Sequence, residues 1–315
     1  MYQTISCQVS LVIAGKSLES LSHLNLGRNN LSGEIPDSIG YLHKLQSLHL
    51  QLNRFSGYIP SSLQNCSQLG FLDAGENKFS GTIPHWMWEM RMLHILRLRS
   101  NEFRGSIHQR ICQLSNLKVL DLANNSLSGS IPNCLNKIKA MVAGDNEELN
   151  ALAYGFDYEP YKENLKLVPK GNELEYKENL IFVRMIDLSS NRLSGPIPSE
   201  ITDLIGVRFL NLSWNNLSGQ IAKDIGEMKL LESIDLSMNY ISGIIPRSTQ
   251  LQSLDALGYT GNAKLCGAPL TKNCKRQDDE SGENDSTTSE LYIGMGVGFA
   301  VSFLGVCSVF FCNGT

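Results

Sequence analysis

The chain has 315 residues, of which 42% are hydrophobic and 18% are charged, and its formal net charge is −4. This charge argues against a generally basic nucleic-acid-binding protein, so we expect no nucleic-acid partner. The eight cysteines do not decide the redox compartment by their number alone.

Residues 1–17 contain the apolar run Val9–Ala14, which no basic region precedes and which Cys7 and Gln8 interrupt. A secretory signal normally begins with basic residues, so we interpret this segment as a degenerate or incomplete first repeat. An array that begins in this way lacks the capping element that repeat proteins need for solubility.

A period of 24 residues organises most of the chain. Leucines with the spacing L-x-x-L-x-L-x-x-N recur in five repeats over residues 18–139 and in three more over 181–250, the signature of a leucine-rich-repeat solenoid. We predict an α/β repeat solenoid whose inward leucines lie on short parallel strands around a shared core. The recurrent asparagine should bond backbone groups at the bend after each strand. It occupies Asn29, Asn53, Asn77, Asn101, Asn125, Asn191, Asn215 and Asn239.

The residues beside the inward leucines form the concave face, which solenoids use for binding. Exposed aromatic and arginine side chains are good interface anchors, so we expect ligand contacts from this face. The alternative for each residue is a solvated scaffold position. The expected contact residues are His49, Phe71, Arg97 and Arg99.

Two pairs of cysteines lie close together in the repeat pattern. Cys112 and Cys134 fall on adjacent turns, so the spacing is compatible with either a disulfide or two separate thiols. Cys266 and Cys274 close a short loop just past the last repeat, and we expect a disulfide there. Its placement favours a protein of the oxidising secretory pathway.

The motif Leu-Ser-Gly-x-Ile-Pro recurs within the turns. Its Gly-x-Ile-Pro part is intact at Pro36, Pro60, Pro84 and Pro132, while His108 replaces the proline in one turn. The motif resembles the plant-specific leucine-rich repeat of receptor kinases, receptor-like proteins and polygalacturonase inhibitors. This resemblance implies an extracellular superhelix with short 3-10 or helical segments on its convex side and a second small sheet along one flank.

The asparagine series breaks between Asn125 and Asn191, which are 66 residues apart. Residues 140–180 form this island and are rich in glutamate, lysine and tyrosine. Long insertions in compact folds are usually functional or disordered, and tyrosines provide contact area with little loss of rotamer entropy. We expect ligand contacts from Tyr154, Tyr158, Tyr161, Lys170 and Tyr176.

The sequences 170–176 and 184–195 resemble the island-to-repeat junction of plant receptor-like proteins, which have one membrane helix and no kinase domain. The ethylene-inducing-xylanase and fungal-resistance receptors belong to this class. The resemblance implies that the island and nearby concave repeats bind a protein or peptide ligand, and that the C-terminal repeats contact a co-receptor kinase. We assign this second contact to Arg208, Trp214 and Met238. Residues 251–274 match the family's C-terminal cap, but one preceding repeat is missing, which puts the co-receptor surface in doubt.

The C-terminal region begins with an acidic linker, residues 275–290, which we read either as a solvated spacer or as a stretch that pairs with a basic partner. Residues 291–312 carry no charge and as a helix would be about 33 Å long, enough for one membrane span. Gly294 and Gly298 allow close helix packing there. By resemblance, an adaptor receptor kinase binds this span. Residues 313–315 would be a residual cytosolic end, so we expect a chain truncated at both ends.

Glycosylation sequons begin at Asn30, Asn65, Asn124, Asn211 and Asn216, although Asn-Leu-Ser in the repeat produces such sequons automatically. We find no zinc-protease, P-loop, nucleophile-elbow or kinase motif. We therefore expect a protein that is not an enzyme and has no cofactor or metal.

Three functional hypotheses follow. The first is a single-pass plasma-membrane receptor with extracellular repeats, which binds a pathogen-derived or developmental ligand and signals through partner kinases in plant defence. The second is a truncated, non-signalling decoy or remnant. The third is a soluble inhibitor of wall-degrading enzymes, which would explain neither the island nor the span.

Overall fold

The structure is a computed structural model that describes residues 20–144, 165–167, 174–176, 180 and 182–274. The strands are β1 (His23–Asn25), β2 (Ser32–Gly33), β3 (Ser47–His49), β4 (Arg54–Gly57), β5 (Phe71–Asp73), β6 (Lys78–Thr82), β7 (Ile95–Arg97), β8 (Glu102–Ser106), β9 (Val119–Asp121), β10 (Ser126–Gly129), β11 (Leu165–Leu167), β12 (Leu174–Tyr176), β13 (Met185–Asp187), β14 (Arg192–Pro196), β15 (Phe209–Asn211), β16 (Asn216–Ser218), β17 (Ser233–Asp235), β18 (Ser242–Ile244) and β19 (Lys264–Cys266). The 3-10 helices are Asp37–Tyr41, Ser61–Asn65, His85–Glu89, Gln109–Gln113, Leu135–Lys137, Ser199–Asp203, Lys223–Glu227 and Ala256–Tyr259, and the α-helices are α1 (Lys139–Val142) and α2 (Thr249–Ser253).

A parallel sheet of eight described strands lines the concave side of the coil, in the order β1-β3-β5-β7-β9-β13-β15-β17. Equivalent residues of neighbouring turns lie opposite each other, as Leu48 and Leu72 do. The inward leucines Leu48, Leu72 and Leu96 are completely buried, because successive turns stack on both sides of them. The solenoid predicted from the leucine spacing is confirmed.

A second parallel sheet runs along one flank, with seven described strands in the order β2-β4-β6-β8-β10-β14-β16. A glycine ends or interrupts the strand in each turn; Gly81, with φ of +85°, shows the left-handed backbone that favours a residue without a Cβ. On the convex side, 3-10 helices begin after a proline such as Pro60 or Pro84. Where His108 replaces this proline, its Nδ1 accepts a hydrogen bond from the Arg110 backbone N–H at 3.1 Å and caps the helix.

The recurrent asparagine joins neighbouring turns. In Asn101, Nδ2 donates to the carbonyl oxygens of Ala74 at 3.0 Å and Leu98 at 3.1 Å, while Oδ1 accepts from the Phe79 N–H at 2.9 Å. Because the partners lie on two turns, Asn101 ties one turn to the preceding one, as do Asn53, Asn77, Asn125, Asn191, Asn215 and Asn239. The predicted bonding of backbone groups at the bend is confirmed.

The C-terminal cap adds one more asparagine to this series. Asn262 Nδ2 donates to the Leu236 carbonyl at 2.9 Å, and its Oδ1 accepts from the Ile241 N–H at 3.0 Å. Gly261 precedes it with φ of +74°, as left-handed residues precede the other asparagines. The cap therefore stacks directly on the turn of Asn239. This is the position at which the resemblance to the family predicts one further repeat.

The island leaves the concave sheet uninterrupted. Strand β9 pairs directly with β13, with Val119 opposite Met185, so the two sides of the insertion meet as neighbouring turns. Its base is tied together by Arg184, whose Nε donates to the Ala140 carbonyl at 2.8 Å and whose Nη2 donates to the Gly144 carbonyl at 3.3 Å. Strands β11 and β12 pair antiparallel and form what we call the insertion hairpin.

Within the described ranges, no helix is long and apolar enough to cross a membrane. The predicted span 291–312 with Gly294 and Gly298, the linker 275–290 and residues 1–17 lie outside the described residues. So do four of the island residues that we expected to contact a ligand: Tyr154, Tyr158, Tyr161 and Lys170.

Candidate functional site

The first outward position of the concave strands is apolar in five consecutive turns. Residues two apart on a strand point to the same side, so each strand places two residues on the concave face. In the first of these columns Phe71 pairs with Ile95, and the series continues without interruption to β15. We call this series the concave stripe; it consists of Phe71, Ile95, Val119, Met185 and Phe209.

The insertion hairpin covers the concave stripe. Leu165 and Leu167 of β11 pack against it and are at most 1% exposed, and Tyr176 of β12 packs against the same cluster while partly buried. Leu180 and Val183, where the chain returns to the coil, complete this second hydrophobic cluster. The described hairpin of the island therefore lies on the concave face.

This cover changes the interpretation of three predicted contact residues. We expected His49, Phe71 and Arg97 to be exposed, and this is wrong: their exposed fractions are 3%, 5% and 3%. The ring of His49 lies 4.4 Å from that of Phe71. The second outward position of the concave strands forms a second column, in which His49, Asp73, Arg97, Asp121 and Asp187 are buried, Asn211 and Asp235 are half-buried and Asn25 is exposed. Repeat periodicity locates these side chains on the concave face but does not reveal what covers them.

The second column carries a buried network of ion pairs centred on Arg97. Its Nη1 donates to Asp73 Oδ1 at 3.1 Å, its Nη2 donates to Glu76 Oε1 at 2.6 Å, and its Nε lies 3.5 Å from Asp121 Oδ2. Arg99 Nη1 lies 3.2 Å from the same Asp121 oxygen. Both arginines that we expected to contact a ligand are thus already paired with carboxylates of the chain.

The network contains more carboxyl groups than guanidinium groups. Arg99 Nη1 also lies 3.8 Å from Asp187 Oδ2, so four carboxylates share two guanidinium groups. Burial, followed by the charge of Asp121, raises the pKa of Asp187 to about 7. Burial also raises the pKa of Asp73 in spite of Arg97. The site therefore favours a protonated Asp187 at moderately acidic pH.

We predict that Asp187→Asn removes much of the pH dependence of stability. The pKa of this carboxyl is 3.8 in the unfolded chain and about 7 in the folded chain, so folding favours the protonated form. The stability of the native protein should therefore fall as the pH rises from about 4 to about 7. The variant should lose less stability than the native protein between pH 5 and pH 8, because it has no carboxyl group to deprotonate at this position. An asparagine fits this position, because Asn211 occupies the equivalent position on the next strand. Its Oδ1 accepts a hydrogen bond from the Ser213 hydroxyl, just as Asp187 Oδ1 accepts one from the Ser189 hydroxyl.

Chemical unfolding at pH 5 and pH 8 measures this effect. Asp235→Asn, a change in the same column outside the covered region, is the control. Parallel pH profiles for the native protein and Asp187→Asn would contradict the prediction.

The surface assigned to a co-receptor lies at the C-terminal end of the coil. Trp214 and Met238 are 59% and 40% exposed and occupy equivalent left-handed positions on successive turns, with φ of +54° and +55°. Arg208 is half-buried rather than exposed; its Nη1 donates to Glu232 Oε1 at 2.8 Å and its Nε to the Phe182 carbonyl at 3.2 Å. Trp214 and Met238 thus expose apolar side chains on successive turns, whereas Arg208 is paired with a glutamate.

The structure contains two disulfides among its described cysteines, Cys112–Cys134 and Cys266–Cys274. The first joins the convex sides of adjacent turns, and the second closes the cap. Cys66 is buried and reduced, and burial raises the pKa of its thiol to about 11. Of the described sequon asparagines, Asn65, Asn124 and Asn216 are exposed, whereas Asn30 and Asn211 are half-buried.

The site contains residues that repeat spacing did not single out. The carboxylates of Asp121 and Asp187 and the hairpin residues Leu165 and Leu167 are central to it. The sequence offered a signal for the hairpin, since 165–167 alternates leucine, lysine and leucine as a half-buried strand does. The apolar stripe could also have been found by comparing the same position in successive turns.

Comparison with known proteins gives two kinds of match. Residues 20–42, 44–66, 116–138, 182–204, 206–228 and 230–255 match the family Leucine Rich Repeat. Over 224 residues the chain is 41% identical to Receptor-like protein EIX2 of Solanum lycopersicum, and the match covers 57% of this chain and 22% of EIX2. The chain spans about a fifth of the length of the curated relatives it matches.

Solved structures of plant receptor kinases resemble the fold. The ectodomain of the membrane receptor kinase GASSHO1/SCHENGEN3 from Arabidopsis thaliana, in complex with CASPARIAN STRIP INTEGRITY FACTOR 2, has a TM-score of 0.66 and 30% identity, covering 82% of this chain and 26% of that one. The Arabidopsis receptor kinase HAESA, in complex with the peptide hormone IDA and the co-receptor SERK1, has a TM-score of 0.52 and 30% identity, covering 79% of this chain and 43% of that one.

Proposed function

We propose that this chain, which is similar to plant leucine-rich-repeat receptor-like proteins, binds an extracellular protein or peptide ligand and signals through partner receptor kinases in plant defence. The ligand is either a pathogen-derived molecule or a developmental signal.

The position of the island is the observation that carries this proposal. The insertion hairpin packs against the concave sheet in a hydrophobic cluster of its own, while the coil beneath it stays regular. A scaffold alone has no need of such an insertion, whereas a receptor gains a recognition surface without disturbing its fold. The complexes of GASSHO1/SCHENGEN3 and HAESA, whose ectodomains have this fold, support ligand binding.

We further propose that the C-terminal turns bind a co-receptor kinase through Trp214 and Met238, with Arg208 at the edge of the contact. Large exposed apolar side chains that lie next to each other are typical of interface centres. The direct stacking of the cap on the turn of Asn239 supports this assignment, because it leaves the surface continuous.

The proposed location is the plasma membrane, with the repeats outside the cell and residues 291–312 as the single span. Gly294 and Gly298 would pack against the span of an adaptor receptor kinase. The support is the uncharged run of residues and the similarity to EIX2. The two disulfides are consistent with this location, since disulfides persist in oxidising compartments.

Expression of the tagged full chain in plant cells tests the function. We expect it to fractionate with the plasma membrane, to shift in mass on deglycosylation and to co-precipitate an adaptor kinase. A chain that stays unglycosylated and without kinase would favour the remnant hypothesis. A secreted chain that binds wall-degrading enzymes would favour the inhibitor hypothesis.

Trp214→Ala should weaken co-receptor association by at least about tenfold, because truncation of a central aromatic in an interface removes most of its contact. The fold should remain, since the side chain is 59% exposed. Co-precipitation with the co-receptor ectodomain measures the effect. Tyr58→Ala is the matched control, an exposed aromatic several turns away. Equal loss in both variants would reject the assigned surface.

A further inference from the structure

Three tyrosines of the described chain are largely exposed: Tyr41, Tyr58 and Tyr240, at 66%, 66% and 70%. Single exposed aromatic side chains are common on protein surfaces and need no special explanation. Two of these three, however, occupy the same position in the repeat as the exposed asparagine of a glycosylation sequon one turn away. Tyr41 corresponds to Asn65 in the next turn, and Tyr240 corresponds to Asn216 in the preceding turn.

The first pair lies on the convex side of the coil. Tyr41 and Asn65 each end the 3-10 helix of their turn. The two helices approach closely, because a Cβ on Gly40 would lie 2.7 Å from the Cβ of Ser62. Residues three apart in a 3-10 helix lie above one another, so Asn65 is on the same side of its helix as Ser62. The sequon asparagine therefore lies on the side that faces the turn of Tyr41.

The second pair lies on the flank of the coil. The Tyr240 backbone N–H donates to the Leu217 carbonyl oxygen at 2.8 Å, and the bridge between Gln220 and Ser242 sets the register of the two turns. Because Leu217 points inward and is buried, its neighbour Asn216 points outward. Tyr240 lies one strand and two residues from Asn216, which corresponds to about 8 Å at a strand spacing of ~4.8 Å and a rise of ~3.3 Å per residue.

We propose that N-glycans are attached to Asn65 and Asn216, and that Tyr41 and Tyr240 are the platforms on which their first sugars lie. The first sugar of an N-glycan is N-acetylglucosamine, whose ring carries C–H bonds on its two faces. The face of an aromatic ring is negative and attracts these weakly positive C–H groups, and the contact removes apolar surface from water. The inference rests on the proposed extracellular location only for the supply of glycans.

The chain also offers matched comparisons. Asn124 is the third exposed sequon asparagine among the described residues, and its Nδ2 donates to the Ser100 hydroxyl at 3.1 Å. Its position in the repeat holds Ser100 and Ser190 in the two neighbouring turns, so a glycan on Asn124 has no aromatic platform there. Conversely, Tyr58 is an exposed tyrosine whose position holds no sequon asparagine in either neighbouring turn.

Site-resolved trimming of the glycans on the folded full chain tests this proposal. The chain is expressed in plant cells that keep their glycans in the oligomannose form. An endoglycosidase that cuts between the first two sugars is added without denaturant, and mass spectrometry follows each asparagine separately. We expect Tyr41→Ala to speed trimming at Asn65 about fivefold, a factor typical of one aromatic contact. Tyr240→Ala should have the same effect at Asn216.

The control variants separate stacking from a general change in the coil. Tyr58→Ala should change no rate, and the rate at Asn124 should be the same in every variant. Tyr41→Phe should keep trimming at Asn65 slow, because stacking needs the ring and not the hydroxyl, whereas Tyr41→Leu should not. The fold should remain in each variant, since the substituted side chains are exposed.

Unchanged rates at Asn65 in Tyr41→Ala and at Asn216 in Tyr240→Ala would overturn the proposal. Faster trimming at all three asparagines would also overturn it, because that result reports a loosened coil. Asn65 and Asn216 that carry no glycan in the secreted chain would overturn it as well. If Trp214→Ala, and not Tyr240→Ala, speeds trimming at Asn216, the second pair is rejected. A chain that shows both platforms and co-precipitates no kinase would reject the receptor function and leave the platforms standing.

Discussion

Asn215→Ala is expected to destabilise the coil by about 3–5 kcal/mol, because it leaves several buried backbone groups without partners. Nδ2 of Asn215 donates to the carbonyl oxygens of Leu188 at 3.0 Å and Leu212 at 3.2 Å, and Oδ1 accepts from the Leu193 N–H at 2.9 Å. These partners lie on two turns, so the substitution breaks a connection between neighbouring repeats and not merely a local turn.

Urea unfolding measures the loss, and amide exchange at Leu193 reports it locally. Asn29→Ala is the matched control: this asparagine is exposed, and its described hydrogen bonds go to Leu26 and Gly27 of its own turn. Its loss should cost less than about 1 kcal/mol. Similar costs for the two substitutions would mean that the asparagines contribute little to the connection between turns.

Arg97→Met should have the second large effect. The guanidinium is 4% exposed and contacts three carboxylates, of Asp73, Glu76 and Asp121. Removing one partner of a buried ion pair costs about 3–5 kcal/mol, since the remaining charges stay buried without compensation. The loss should be greater at pH 8 than at pH 5, because the carboxylates can take up protons at the lower pH.

The control for this change is Arg110→Met. Arg110 pairs with Glu89 on the convex surface, where both side chains are about half exposed, and exposed pairs contribute less than about 1 kcal/mol. Thermal unfolding at the two pH values separates the outcomes. If Arg97→Met were no more harmful than Arg110→Met, or equally harmful at both pH values, the network would not be the buried electrostatic unit that its geometry indicates.

The coil was predictable because its determinants are local and repeated. Leucine, asparagine and glycine recur at a fixed spacing, and each occurrence supports the same strand, bend and turn. The role of Asn262 was not predicted, because this residue follows Asn239 by 23 residues and not 24, and lies in the segment identified as a cap. A search that allowed a spacing one residue shorter would have found it.

The candidate site was predictable only in part. Strand alternation correctly puts Phe71 and Arg97 on the concave side, but their burial depends on residues far away in sequence and without periodicity. Packing of Leu167 against the same cluster as Phe209 joins positions 42 residues apart, and no local pattern specifies such a contact. The pairing of Arg97 with Asp73 could have been anticipated, because the two occupy one column on adjacent strands.

The uninterrupted pairing of β9 with β13 has a consequence for how such proteins diversify. Since the coil closes beneath the insertion and Arg184 ties its base, the intervening segment is an exchangeable cassette whose replacement leaves the register of every turn intact. The exchange carries one condition. An incoming cassette must bring its own apolar residues for the concave stripe, or the new chain will expose that stripe and aggregate. A replacement segment that changes the binding specificity must therefore also keep the chain soluble.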